Sequence, residues 1–134
     1  MKPFQLDSKM LTMGGVFYPT GWIFVMFPTR DDAEKVVHEL QLRDYDTTSI
    51  MLVTPEDTLG KIVHTVGGTN IPLPSAGTEG ATARKFAELA AKGHYALMIE
   101  APGSEEAERY MQVIRKVPFS YAEKYRHLII EDLV

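Results

Sequence analysis

Apolar residues along the chain follow two spacings, which alternate in a regular order. Nearly continuous apolar runs rich in aromatic and branched residues predict strands, and runs with an apolar residue every three or four positions predict helices. The pattern predicts strand–helix–strand twice, with a longer helical region in the middle. The strands are expected at residues 22–27, 48–53, 94–101 and 125–131. The first helix has an apolar face of Ala33, Val36, Val37 and Leu40, and the last has one of Ala107, Tyr110, Met111, Ile114 and Val117.

Residues 24–35 and 98–109 repeat each other without a gap. Each stretch contains a strand end, a proline turn and a helix with an acidic first turn, where carboxylates meet the positive end of the helix dipole. We predict that the first helix begins at Thr29 or Arg30 and that Ser104 caps the last one. Two such units in one sheet predict an α+β fold, a ferredoxin-like βαββαβ sandwich with strand order 4-1-3-2.

A helical insert of about residues 55–92 separates the second and third predicted strands, where a plain ferredoxin-like domain has a short loop. Thr54 is predicted to cap its first helix. After a loop rich in glycine and proline, a second helix begins at Thr78 or Thr82 and ends with Gly93 in the position that follows a helix C-terminus. The predicted apolar stripes are Leu59, Ile62, Val63 and Val66 in the first helix, and Ala83, Phe86, Ala87, Leu89 and Ala90 in the second.

The two ends of the chain give weaker signals. We expect a single domain over residues 1–134, with residues 1–14 as a flexible arm or as a segment that docks on a neighbour. Residues 120–123 have capping-box spacing, which predicts one extra helical turn before the last strand.

The predicted sheet is apolar on both faces, although the two repeat helices cover only one of them. Trp22, Phe24, Met26 and Met98 represent the other face, which must be covered by the insert, the arm or a partner subunit. We therefore expect a homo-oligomer, with a dimer as the first choice, and regard these four residues as a candidate interface or ligand face. Trp22, the only tryptophan, is expected to be buried there.

Composition narrows the possible functions. The 134 residues include no cysteine, which excludes disulfides, thiolate catalysis and cysteine-ligated metals. The net charge of −4 makes nucleic-acid binding through bulk charge unexpected. Because no apolar run approaches the roughly 20 residues needed to span a bilayer, and no signal-peptide core begins the chain, we expect a cytoplasmic protein without a membrane partner.

Acid-acid-Ala-Glu-Lys begins the first helix at residues 31–35, and acid-acid-Ala-Glu-Arg begins the last at residues 105–109, with a Gly- and Ala-rich helical middle between them. In these features, residues 20–131 resemble a bacterial family of general-stress (heat-induced stress) proteins. The resemblance implies a stress-related, non-enzymatic role through self-association or partner binding. The dense glycine repeat of some members is not present in this middle region.

Two other functions remain open at this point. An RNA-recognition module shares the βαββαβ order, and Phe24 and His94 would then face the bases, although Ala96 stands where a third aromatic is expected. A dimeric α/β barrel that binds a small molecule, or catalyses a reaction without a cofactor, would use the same apolar sheet face.

Candidate chemistry is sparse. Gly77, Gly80 and Arg84 at the start of the second insert helix form a weak candidate anion site, because free backbone N–H groups there can bind a phosphate. The four histidines have no metal-ligand spacing. We identify no catalytic constellation, and expect no cofactor and no bound metal.

Overall fold

The computed structural model describes residues 1–12, 14–66, 78–126 and 129–133, and it has a mixed α+β architecture, as predicted. A six-stranded sheet runs through its centre. The strands are β1 (Lys2–Pro3), β2 (Trp22–Phe27), β3 (Met51–Val53), β4 (Tyr95–Glu100), β5 (Tyr121–Arg126) and β6 (Ile129–Asp132). The helices are α1 (Arg30–Leu42), α2 (a continuous segment of Pro55–Asp57, Thr58–Val63 and His64–Val66), α3 (Thr78–Ala91) and α4 (Ser104–Ile114), with a short 3-10 turn at Ser8–Met10.

The strand order is β1-β3-β4-β2-β5-β6. It differs from the four-stranded order expected from the sequence, because β1 adds to one edge, parallel to β3, and β6 adds to the other, antiparallel to β5. The inner four strands follow the order β3-β4-β2-β5, and all their pairings are antiparallel.

The two repeated units form equivalent strand–helix junctions. Thr29 caps α1, where its side chain accepts a hydrogen bond from the backbone N–H of Asp32. The prediction that Ser104 caps α4 is wrong by one residue: Gly103 is the N-cap, without a side-chain bond. The hydroxyl of Ser104 instead accepts a hydrogen bond from Nη2 of Arg126 at 2.6 Å, so it connects α4 to β5 and does not cap the helix.

The start of α2 and the end of α3 lie where the local sequence motifs predict them. Thr54 forms a complete capping box with Asp57 at the start of α2. Gly93, with a φ of 87°, follows α3, and the N–H of His94 bonds back to Leu89 as in a Schellman motif. The predicted stripe of α2 is wrong at Leu59, which is 43% exposed, because residues 58–63 form a π-helical turn that changes the helical phase.

The C-terminal region differs most from the prediction. Residues 120–123 form no helical turn; β5 begins at Tyr121, and the N–H of Ser120 bonds to Met26 in the neighbouring strand. The single strand predicted at 125–131 is instead a hairpin of β5 and β6. The second strand, predicted at 48–53, is shorter in the structure, where β3 covers only Met51–Val53. The residues before it form a turn, in which the N–H of Ile50 donates a hydrogen bond to the carbonyl of Thr47.

Each face of the sheet has its own core. The helix face, under α1 and α4, contains Ile23, Val25 and Phe27. The insert face, under α2, α3 and the N-terminal segment, contains Phe24 and Met26. No helix in the described part of the chain is long and apolar enough to cross a bilayer.

Candidate functional site: the groove at Trp22

Three of the four residues of the candidate interface face are covered by the chain itself. Phe24, Met26 and Met98 are each 0% exposed. Phe86 of α3 stacks on Phe24, with ring centroids 4.2 Å apart and an interplanar angle of 28°. A partner subunit is therefore not needed to cover this part of the sheet, and the original argument for a dimer no longer applies to this face.

The residues considered for RNA binding do not form an open stacking platform. The ring of Phe24 is enclosed beneath Phe86 and cannot stack on a base in this structure. His94 is half-buried, and its Nδ1 lies 2.8 Å from the hydroxyl of Ser120. Burial is the main cause that lowers the pKa of His94 below its ordinary value, and the positive charge of Lys92 is the second.

The residues of the candidate anion site lie at and before the start of α3. Gly77 lies outside the described residues. Gly80 is the third residue of α3, so it lies inside the helix and not in a loop before it, and Arg84 is exposed one turn later. The backbone N–H of Gly80 therefore belongs to the first turn of α3, and the anion site at this helix start stays a prediction.

Trp22 is the member of the candidate face that remains accessible. It is half-buried and borders a surface groove of about 550 Å³ at the end of the insert face. We call this surface the Trp22 groove. The groove is lined by Lys2, Phe4, Gln5, Leu6, Asp7, Met10, Trp22, Met51 and Lys61.

The N-terminal segment forms one side of the Trp22 groove. Pairing of β1 with β3 places Lys2 beside Met51, and the N–H of Phe4 bonds to the carbonyl of Leu52 at 3.0 Å. Asp7 accepts a bond from the N–H of the residue two positions later and so starts the 3-10 turn that buries Met10. The segment expected to be a flexible or neighbour-docked arm thus packs on its own sheet in this structure.

The floor of the groove is apolar and its rim carries charges of both signs. Phe4, Met10 and Met51 are all less than 10% exposed, whereas Leu6 is 38% exposed on the groove wall. Lys61 forms an ion pair with Asp57 at 3.1 Å. Within the described part of the chain, the ammonium of Lys2 forms no ion pair. The groove can therefore bind an apolar group and a neighbouring carboxylate.

A second polar cluster lies on the helix face, where β5 meets the first turn of α4. Lys124 is only 2% exposed, and its Nζ donates a hydrogen bond to the carbonyl of Gly103 at 3.1 Å. Burial is the main cause that lowers the pKa of Lys124, followed by the charge of Arg126. Arg126 in turn pairs with Glu131 at 3.2 Å. The cluster connects β5 to the start of α4. The sequence analysis did not predict it, because a helical turn was expected at residues 120–123, just before Lys124.

Another groove, of about 620 Å³, runs along α1 and was also not predicted. Both acidic and basic side chains line it, together with the apolar Val117. It is lined by Asp31, Glu34, Lys35, His38, Glu39, Arg43, Lys116 and Val117. No group of three or more histidine and carboxylate side chains in the described ranges is placed to hold a metal ion.

Compared with known proteins, the chain matches no protein-family model, no curated protein and no solved structure.

Proposed function

We propose that this chain is a non-enzymatic binding protein that acts by binding a segment of a partner polypeptide in the Trp22 groove. The observation that carries the proposal is that Trp22 stays partly exposed above a buried apolar floor, while Phe24, Met26 and Met98 on the same face are covered. A half-exposed tryptophan offers a large apolar surface and one N–H donor, a combination that is enriched at binding surfaces.

The proposed scaffold is a ferredoxin-like unit with two added edge strands. The neighbour order of the inner strands, β3-β4-β2-β5, supports it, as do the two equivalent strand–helix junctions at Thr29 and Gly103. The stress-related role implied by the family resemblance belongs to the same proposal, and induction of the transcript by heat in the source organism tests it.

The groove defines the chemistry of the partner. Leu6 is exposed and Trp22 is partly exposed, and both provide apolar contacts that favour an aliphatic or aromatic anchor residue on the partner. Lys61 is already paired with Asp57, whereas Lys2 forms no ion pair within the described residues, so its ammonium can meet a carboxylate of the partner although the whole chain has a charge of −4. We therefore propose a partner segment with an apolar residue next to Asp or Glu, because complementary charge selects and orients such a segment.

Selection from a displayed peptide library tests this proposal. The wild-type chain should enrich peptides with an apolar residue next to a carboxylate. Binding of the enriched peptide should shift the emission of Trp22, the only tryptophan. Lys2→Glu and Lys61→Glu should each weaken binding about tenfold. The matched control is Lys35→Glu on α1, whose side chain is 67% exposed and outside the Trp22 groove, and it should bind as the wild type does.

Three results would contradict the proposal. The first is a selection that enriches no shared sequence. The second is equal weakening by Lys35→Glu and Lys2→Glu, which would indicate non-specific charge attraction. The third is a selected peptide that leaves the emission of Trp22 unchanged at saturation, which would place the binding surface elsewhere.

A further inference from the structure

Three consecutive residues of α2 depart from the usual pattern of a packed helix. Thr58 is 0% exposed, and its hydroxyl has no hydrogen-bond partner among the described residues, which destabilises the folded state. Leu59, the next residue, is 43% exposed, so much of its side chain stays in water. Gly60 has no positive φ, and an added Cβ would meet no heavy atom within 4 Å. Neither the backbone nor the packing therefore requires a glycine at this position, where glycine weakens a helix.

All three residues belong to the π-helical turn Thr58–Val63. Such turns are rare and occur frequently at functional sites. Before the turn, Thr54 and Asp57 form a complete capping box. After it, the hydroxyl of Thr65 accepts a hydrogen bond from the N–H of Phe17 at 2.8 Å. Both ends of the turn are thus held, and the turn fits one more residue between them than an α-helical turn does.

The π-helical spacing aligns Lys61 with Asp57. Because the hydrogen bonds of a π-helix span five residues instead of four, each residue turns less about the axis, and residues four apart lie almost directly above each other. Nζ of Lys61 lies 3.1 Å from Oδ1 of Asp57. Asp57 is itself fixed, because its Oδ2 accepts a hydrogen bond from the N–H of Thr54 at 3.2 Å. An ammonium has three N–H donors, so the contact with Asp57 leaves donors that can bind a ligand in the Trp22 groove, which Lys61 lines.

We propose that the π-helical turn of α2 positions Lys61 for a carboxylate of the partner, and that Gly60 supplies the extra residue of the turn and is therefore a positioning residue. This inference rests on the proposed function of the Trp22 groove and extends it to a residue that does not line the groove. Without Gly60, Lys61 is the third residue after Asp57, which in an α-helix places it roughly 60° away around the axis. Asp57 then no longer holds the ammonium in the same place at the rim. The turn lowers stability and fixes the geometry of a binding group, a combination that is expected at functional sites.

Deletion of Gly60 tests the proposal. The variant should bind the peptide enriched in the selection about fivefold more weakly than the wild type. A double-variant cycle separates positioning from a general structural effect: in the Lys61→Ala background, the deletion should cause no further loss. Lys35→Ala is the matched control background, because Lys35 is exposed on α1 outside the groove, and the deletion should keep its full effect there. A deletion variant that binds as the wild type does, or one that loses as much affinity in the Lys61→Ala background, would overturn the proposal.

Two substitution variants provide tests that need no deletion. Gly60→Lys with Lys61→Gly keeps the composition and moves the ammonium by one position, so it should weaken peptide binding about fivefold, and unchanged binding would overturn the proposal. Thr58→Val removes the buried hydroxyl and should raise the midpoint of urea denaturation; a lower midpoint would contradict the destabilising effect assigned to the turn. If the wild-type chain binds no peptide, the proposed function fails and this inference fails with it. Wild-type binding that survives deletion of Gly60 overturns the positioning role alone.

Discussion

The ring of Phe24, in the central strand, stacks on the ring of Phe86, in the second insert helix, with centroids 4.2 Å apart. Both side chains are fully buried or nearly so, at 0% and 1% exposure. This contact joins the inserted helical region to the repeat-derived sheet. The insert therefore serves as the second cover of the sheet, and its contact with Phe24 is part of the core.

Phe24→Ala should lower the free energy of unfolding by about 3–5 kcal/mol, because it removes a fully buried ring and leaves a cavity. Phe86→Ala should have a similar effect. The double variant should lose less than the sum of the two, by about 0.5–1.5 kcal/mol, which is the coupling of a stacked pair. Urea denaturation measures all three. Leu42→Ala, at a residue 64% exposed, is the control and should change stability by no more than about 0.5 kcal/mol. Additive losses in the double variant would contradict the direct contact.

Two glycines of the insert should respond in opposite directions to the same substitution. Gly80→Ala lies inside α3 with no heavy atom within 4 Å of the new Cβ, so it should raise stability by about 0.5 kcal/mol. Gly93→Ala places a side chain at a φ of 87°, so it should lower stability by about 1 kcal/mol. Thermal unfolding of both variants measures the difference. A loss of stability in Gly80→Ala would contradict the helical start at Thr78.

The features predicted well from the sequence depend on residues close together in the chain. Thr54 and Asp57 form a capping box, and Gly93 ends a helix, because each motif is satisfied by atoms within a few residues. The junction at Thr29 was predicted for the same reason, whereas the cap of α4 was predicted one residue too late, at Ser104 instead of Gly103. The apolar parity of β2 correctly indicated a sheet that is buried on both faces.

The features that were missed depend on distant contacts. Residues 120–123 have capping-box spacing, but the hydroxyl of Ser120 contacts His94 and its N–H bonds to Met26, so the sheet determines their conformation. β1 has only two residues and gives no periodic signal of its own. The Trp22 groove is lined by residues from the N-terminal segment, β2, β3 and α2. Their proximity depends on the tertiary fold, and no local sequence pattern predicts it.

The stability of the fold should fall in acid partly because of His94. Burial and the charge of Lys92 lower its pKa in the folded state below the ordinary 6.5, so the unfolded state binds more protons near that pH. The contribution of His94 is therefore complete above pH 6.5 and is lost as the pH falls towards the folded-state pKa. Urea denaturation at pH 7.5 and 5 should show a smaller loss for His94→Gln than for the wild type. An equal loss in both would contradict this role.

The free energy of unfolding should also depend on pH in the alkaline range, because of Lys124. Burial lowers its pKa below the ordinary 10.5, so the unfolded state binds more protons and wild-type stability should rise as the pH increases through this window. Lys124→Met replaces a buried cation with an apolar side chain of similar length and should be as stable as the wild type at pH 7, or more stable by about 1–2 kcal/mol. This advantage should shrink towards pH 10.5. An advantage that does not change with pH would contradict the buried-cation explanation.

Collisional quenching of Trp22 fluorescence by acrylamide, with and without the selected acidic peptide, tests the central claim most directly. Trp22 is the only tryptophan, so the signal comes from the groove alone. In the free protein we expect quenching between that of a buried indole and that of free tryptophan, because the residue is half-buried. Saturating peptide should protect Trp22 from the quencher, and Lys2→Glu should reduce this protection at the same peptide concentration. Quenching that saturating peptide does not reduce, or a Trp22 inaccessible in the free protein, would contradict the assignment of the groove as the binding site.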